Sequence, residues 1–203
     1  DAGADLLETN SFGANRFKLE TFGLADRVRE INKKAVRLAR EAREIAGRPV
    51  LVAGSVGPTG RTLAPFGVVS PEAVRAAFRE QIEALLEGGV DLLVLETIGS
   101  LDEMMESVGA ARDACDLPII ASMTFAEDGR TIGGNSPEEV AARLKKLKRL
   151  HKRYLETLAE KGVKDTSTKK ALKSLTNEFG PPFSPDGSVK VARLSEEHCT
   201  LTG

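Results

Sequence analysis

Cysteine is scarce in this chain. Cys115 and Cys199 are the only two in 203 residues, which excludes a disulfide framework and makes a reducing cytoplasm the expected setting. No apolar run approaches the roughly 20 residues that a membrane-spanning helix needs. The opening residues are acidic and small rather than basic and apolar, so no signal peptide is expected. They also lack a Met and read as the tail of a helix, as a fragment would. No G-x-G-x-x-G loop follows a first strand, which disfavours a doubly wound nucleotide-binding sheet, and no G-K-[ST] ending makes a P-loop. Aromatic side chains amount to 4%, too few to stack nucleic-acid bases in number.

What is present describes a globular chain. Apolar residues make up 41% and charged residues 29%, enough for one domain with a proper core, or one domain and an appendage. The net charge of −1 hides an asymmetry. Residues 145–203 carry 13 Lys and Arg against 7 Asp and Glu, whereas residues 1–144 carry 16 against 23. Such a change of sign divides the chain into residues 1–144 and a basic tail, 145–203.

One pattern occurs twice, as AGADLLETN at Ala2–Asn10 and GGVDLLVLET at Gly88–Thr97. Small residues end a helix, an Asp follows, and an apolar run closes on Glu-Thr. The run reads as a short buried strand with Glu-Thr at its carboxyl end, the end where parallel α/β folds bind ligands. PVLVAGSVGPTG and PIIASMTF end likewise in polar or Gly-rich residues, so four strand ends are expected to converge on one rim. The predicted strands are Asp5–Asn10, Pro49–Gly54, Asp91–Glu96 and Pro118–Thr124. Between them, helical spacing predicts a long helix over Ala25–Ala46, with Val28, Ile31, Ala35, Leu38, Ala42 and Ile45 inward. A second helix starts at Ser70-Pro71, with Val74, Ala77, Phe78, Ile82 and Leu85 as its stripe. Capping boxes at Ser100/Glu103 and Ser136/Glu139 open two more. The reading is α/β: about four βα units of a TIM (β/α)8 barrel, followed by a divergent, mainly helical tail. Within the tail, a short helix is expected at Ser167–Glu178 and a strand at Val189–Leu194.

The ordered set AGADLLETNSFGAN, GSVGPTG, EGGVDLLVLETI and LPIIASMTFAEDGRTIGG resembles the homocysteine S-methyltransferase family over residues 1–144. That family includes the homocysteine-binding domain of methionine synthase and the bifunctional enzymes joined to a methylenetetrahydrofolate reductase. The resemblance implies a zinc-dependent TIM barrel that moves a methyl group onto homocysteine sulfur to give methionine. A thiol of pKa about 8.5 is mostly protonated at neutral pH, and zinc binds it as the nucleophilic thiolate. Family members hold that zinc with a Cys in a G-x-N-C setting and a later Cys-Cys pair, and neither motif occurs in this sequence. The family's first strand, with its acidic substrate-binding residue, is also missing. The expectation is therefore a truncated, impaired member with no catalytic or metal ligand of its own. The methyl donor stays open among methyl-cobalamin, a folate and a methylated sulfonium.

The substrate-binding candidates are Glu96, Asn10, Thr97, Ser122 and Thr124. Glu96 at its strand end can meet the ammonium of an amino acid; the alternative is a Glu that caps the next helix or pairs with an Arg. Glu8 and Asn10 occupy the equivalent place on the first strand, where an Asn also serves as a turn former. Ser122 and Thr124 share one strand face and line either the rim or a barrel layer. Gly57-Pro58-Thr59-Gly60 offers N–H groups to a donor's polar tail, or is only a tight turn. Asp128–Gly134 reads as a flexible loop. Cys115 precedes its strand, on the wrong rim for chemistry, and reads as a core thiol. His151, His198 and Cys199 are a poor metal set, because adjacent residues on a strand face opposite ways. The basic helix after Leu144 reads as a solvated face, a surface for nucleic acid or an acidic partner, or a foreign segment fused to the barrel. The competing reading for the whole chain is a non-catalytic partial barrel that associates through its open sheet edges, with itself or with a partner.

Overall fold

The computed structural model describes residues 3–146. Four strands form one sheet in the order β1 (Leu6–Glu8), β2 (Leu51–Val56), β3 (Leu92–Ile98), β4 (Ile119–Met123), all neighbours parallel. Each crossover carries a helix: α1 (Arg16–Glu20) and α2 (Val28–Ala46), then α3 (Pro71–Gly88), then α4 (Leu101–Ala114). A further helix occupies residues 137–146. The four strands fall where their apolar runs predict, displaced by up to two residues at either end. Tail features predicted beyond residue 146, with His151, His198 and Cys199, lie outside the described residues.

Strand alternation sorts the sheet into two faces. Leu7, Val52, Val56, Leu93, Leu95, Ile98, Ile119, Ala121 and Met123 join the cluster formed with the helices, around Phe78, Ile82, Leu85 and Met104. Leu6, Leu51, Ala53, Leu92 and Val94 form a separate apolar layer on the opposite face. Leu95 and Ile98 share a face although only Glu96 and Thr97 separate them, an even number where strict alternation needs an odd one. The register explains this: Leu95 pairs with Ala121 and Ile98 with Met123, so Glu96 and Thr97 together oppose Ser122. That is a β-bulge, and it restores the alternation beyond the extra residue.

The helix boundaries follow local chemistry. Ser70 caps α3 by accepting from the Ala73 N–H, with Pro71 at the first position, and Gly89 ends it at φ 88°, in the left-handed region. At the last helix Ser136 and Glu139 form the full reciprocal box. At α4 only half of the predicted box forms. Ser100 caps the Glu103 N–H, but the Glu103 carboxylate turns away to bind Thr59.

The structure differs from the pattern in two places. α1 lacks a sequence signal because its five residues are too few to show a helical period. The long helix starts as a 3-10 turn at Ala25–Arg27, and its buried face is Val28, Asn32, Ala35, Val36 and Ala39. Leu38 and Ile45, predicted to face inward, are 53% and 88% exposed. The apolar stripe leaves the core towards the carboxyl end of α2.

Candidate functional site

The carboxyl ends of the strands bring three polar side chains onto the face of the second apolar layer. Glu8 follows Leu6, Ser55 follows Leu51 and Ala53, and Glu96 follows Leu92 and Val94 in the same alternation. The Ser55 hydroxyl donates to Glu96 Oε1 at 2.6 Å. Glu8 is held above the ordinary carboxylate range, first by partial burial and second by the negative charge of Glu96. Two carboxylates and a hydroxyl thus share one rim.

The bulge sets the next residues. It places Glu96 and Thr97 opposite Ser122, and Thr97 takes φ 57°, a left-handed value that a β-branched residue rarely adopts. Thr97 is exposed and Ser122 half-buried. Thr124 is one step further along, its N–H on the Ile98 carbonyl at 3.0 Å, and it is exposed. Asn10 is exposed at the end of β1, with β2 between it and Glu96. The predicted candidates therefore divide into Glu96, Thr97, Ser122 and Thr124 together at the β3–β4 ends, and Asn10 across the rim beside Glu8.

Sequence reasoning missed the support beneath them. Thr9 and Ser11, 3% and 2% exposed, bind each other and the backbone of Ser55 on β2. Asn32 and Gln81, both fully buried, reach from α2 and α3 to the loop after β1. The signal was available, since each is an amide at a core position of an apolar helical period. Gly57 also has a defined role. Its N–H donates to the Phe12 carbonyl at 3.0 Å, and a Cβ there would lie 2.5 Å from the Phe12 ring. The Thr59 N–H and hydroxyl both go to Glu103. The N–H groups of residues 57 and 59 are thus held by protein acceptors, as the tight-turn reading requires.

The described residues do not fit a zinc centre. Among them no group of three or more His, Cys, Asp or Glu side chains is gathered to hold a metal ion. Cys115 lies between α4 and β4, at the opposite rim, with burial raising its thiol pKa. No helix among the described residues is long and apolar enough to cross a membrane.

A parallel βα sheet whose polar residues collect at the carboxyl ends of its strands places the chain in the α/β barrel class. The sequence profile of the homocysteine S-methyltransferase family matches residues 1–175, and the chain belongs to that family. It is 32% identical over 143 residues to methionine synthase of Mycobacterium tuberculosis, covering 66% of this chain and 12% of that one. Methionine synthase of Mycobacterium leprae matches at 31% over the same length, again covering 12% of that protein. Among solved structures, the metallated form of the homocysteine methyltransferase MmuM from Escherichia coli superposes with a TM-score of 0.63 at 32% identity. That superposition covers 71% of this chain and 55% of MmuM, so the chain spans about half the length of that relative.

Proposed function

We propose that this chain is a homocysteine-binding, methyltransferase-like domain whose rim holds homocysteine for methylation of its thiol to methionine. The single observation that carries the reading is the Glu8–Ser55–Glu96 cluster. Two carboxylates facing one space repel each other, and a ligand ammonium between them would relieve that repulsion. The Ser55 hydroxyl holds one oxygen of Glu96, so the carboxylate is oriented before the ligand arrives. Asn10, Thr97, Ser122 and Thr124 are the substrate-binding side chains proposed for the rest of the amino acid. In the transfer itself, a sulfur lone pair attacks the methyl carbon, the bond from methyl to donor breaks, and the thiol proton is lost. Methyl-cobalamin, a methylated folate and a methylated sulfonium all satisfy that chemistry.

The family's zinc would supply the thiolate, but the described residues offer it no ligand set. Weak turnover by the chain alone is therefore part of the proposal. So are a division into a partial barrel (1–144) and a basic tail (145–203), a cytoplasmic setting, and a place in one-carbon metabolism.

The test is calorimetric titration of the full chain with homocysteine and with 4-mercaptobutyrate, which lacks the ammonium. Homocysteine should bind at least about tenfold tighter, and Glu96→Gln should abolish that difference. Equal affinity for the two thiols would overturn the reading.

A second reading is favoured by α2. Leu38, Ala42 and Ile45 form an exposed apolar stripe on α2, of the kind a second protein surface covers. On this reading the chain is a non-catalytic half-barrel that associates with a second copy. Sedimentation at micromolar concentration distinguishes the two: a dimer dispersed by Ile45→Glu supports it, and a monomer refutes it.

A further inference from the structure

We infer that Gln81 is a positioning residue, holding the segment Thr9–Ser11 and through it the Ser55–Glu96 pair; the inference rests on the homocysteine reading above. Gln81 lies in α3, fully buried, 70 residues from its main partner. Its Nε2 donates to the Ser11 carbonyl at 2.7 Å and to Asn32 Oδ1 at 3.4 Å. Asn32 in turn donates from Nδ2 to the Ala14 carbonyl at 2.9 Å and to the Val28 carbonyl at 2.8 Å. Amides from two helices therefore grip both ends of the loop Ser11–Ala14.

The gripped residues form a closed set of bonds with β2. The Ser11 hydroxyl has one proton, donated to the Ser55 carbonyl at 2.7 Å. The 2.6 Å contact between the Thr9 and Ser11 hydroxyls must then run from Thr9 to Ser11. Thr9 Oγ1 also accepts the Ser55 N–H at 3.1 Å. Ser55 is thus fixed through its N–H and its carbonyl, while its hydroxyl holds Glu96. Asn10 sits between the two clamped residues.

Gln81 does this at a cost to itself. Its Oε1 is buried with no hydrogen-bond partner among the described residues. Turning the amide over would set that oxygen against two acceptors, Ser11 O and Asn32 Oδ1, so its orientation is forced. An apolar residue of the same size would remove the orphaned Oε1 but leave Asn32 Oδ1 without its donor. The Ser11 carbonyl also accepts the Ala14 N–H at 2.9 Å, so what the glutamine adds is a side-chain tie from α3 to the loop and a donor for Asn32 Oδ1.

Gln81→Met separates positioning from support. Read by native-state amide exchange on the full chain, residues 9–14 should exchange about tenfold faster while α3 keeps its protection. The thermal midpoint should change little, because losing the orphaned Oε1 offsets leaving Asn32 Oδ1 without its donor, yet homocysteine should bind about tenfold more weakly. Gln81→Glu is the companion variant. Its carboxyl can donate to Ser11 only when protonated, so loop protection should be greater at pH 5 than at pH 8. Unchanged exchange in the loop of a folded Gln81→Met protein would overturn the inference. So would a lowered midpoint with homocysteine affinity intact, which is what a merely structural role gives. Failure of the unmodified chain to bind homocysteine would overturn the substrate reading instead, and the exchange measurement, made without ligand, tells the two apart.

Discussion

The Ser55 hydroxyl on β2 donates a 2.6 Å hydrogen bond to the Glu96 carboxylate on the neighbouring strand β3. Ser55 pairs in register with Val94, two residues before Glu96, so the bond runs diagonally towards the carboxyl end of the sheet. Only one oxygen of Glu96 is held this way, and the other stays available to a ligand. The bulge after Leu95 keeps Glu96 on the layer side and gives its strand one residue more than β4 has. The rim therefore owes its geometry to backbone register as much as to side-chain identity.

Ser55→Ala should leave the fold nearly intact and loosen Glu96. A hydrogen bond to a carboxylate is worth about 1.5–3 kcal/mol when buried, towards the low end for this half-buried pair, and alanine in its place creates no large cavity. Homocysteine affinity should fall by about three- to tenfold as the carboxylate loses its orientation. Calorimetric titration beside a urea denaturation curve reads both quantities. An unchanged affinity would show that the bond positions nothing.

Glu8→Gln should stabilise the protein at neutral pH. The carboxyl is raised in the folded state by partial burial and by Glu96, so the folded chain binds its proton more tightly than the unfolded chain does. Stability of the unmodified protein should then decline as pH rises from the ordinary carboxylate range through the raised value, and level off above it. Glutamine removes that decline. At pH 7 the variant should melt slightly higher, and the gap should close once the pH falls below the ordinary carboxylate range. Melting curves at the two pH values decide it, and a gap that persists at low pH would assign the effect to something other than ionisation.

The strands were legible because each is a short apolar run bounded by turn residues, and the ends of α3 because Ser70-Pro71 is a strong start signal and Gly89 a strong stop. Glu96 was legible from its place after LLVL. The bulge was not, since two residues facing one is a property of the pair of strands and leaves no mark on either alone. Ser55 was hidden in GSVGPTG, where a Gly-rich stretch reads as loop while the structure continues the strand to Val56. Leu38 and Ile45 misled for a different reason. Their spacing is that of a buried face, but the described residues supply nothing to bury them.

Thr97→Gly should raise stability. At φ 57° the Thr97 side chain is in a region that costs a β-branched residue about 1–3 kcal/mol, which glycine avoids at an entropic cost of about 0.5–1 kcal/mol. A net gain of about 1 kcal/mol is expected in urea denaturation. If the hydroxyl contacts substrate, homocysteine affinity should fall at the same time. A loss of stability would mean that the side chain is held there by contacts stronger than the strain.

Glu103 ties the loop after β2 to the start of α4, and its substitution should show how much that tie is worth. One carboxylate oxygen accepts both the Thr59 N–H at 2.7 Å and the Thr59 hydroxyl at 2.5 Å, with Thr59 1% and Glu103 5% exposed. Glu103→Ala leaves two buried donors without an acceptor and should cost about 2–4 kcal/mol. Glu103→Gln keeps a carbonyl oxygen in the same place but loses the charge that strengthens both bonds and complements the helix N-terminus, so about 1–2 kcal/mol is expected. The order in urea denaturation should be unmodified, then Gln, then Ala. Because Gly57 lies two residues from Thr59 and packs under Phe12, the Ala variant should also free the Phe12 ring, read as faster amide exchange at Gly57. Equal losses for Gln and Ala would assign the tie to charge alone, and no loss for either would show that the loop is held by Phe12 and Gly57 without it.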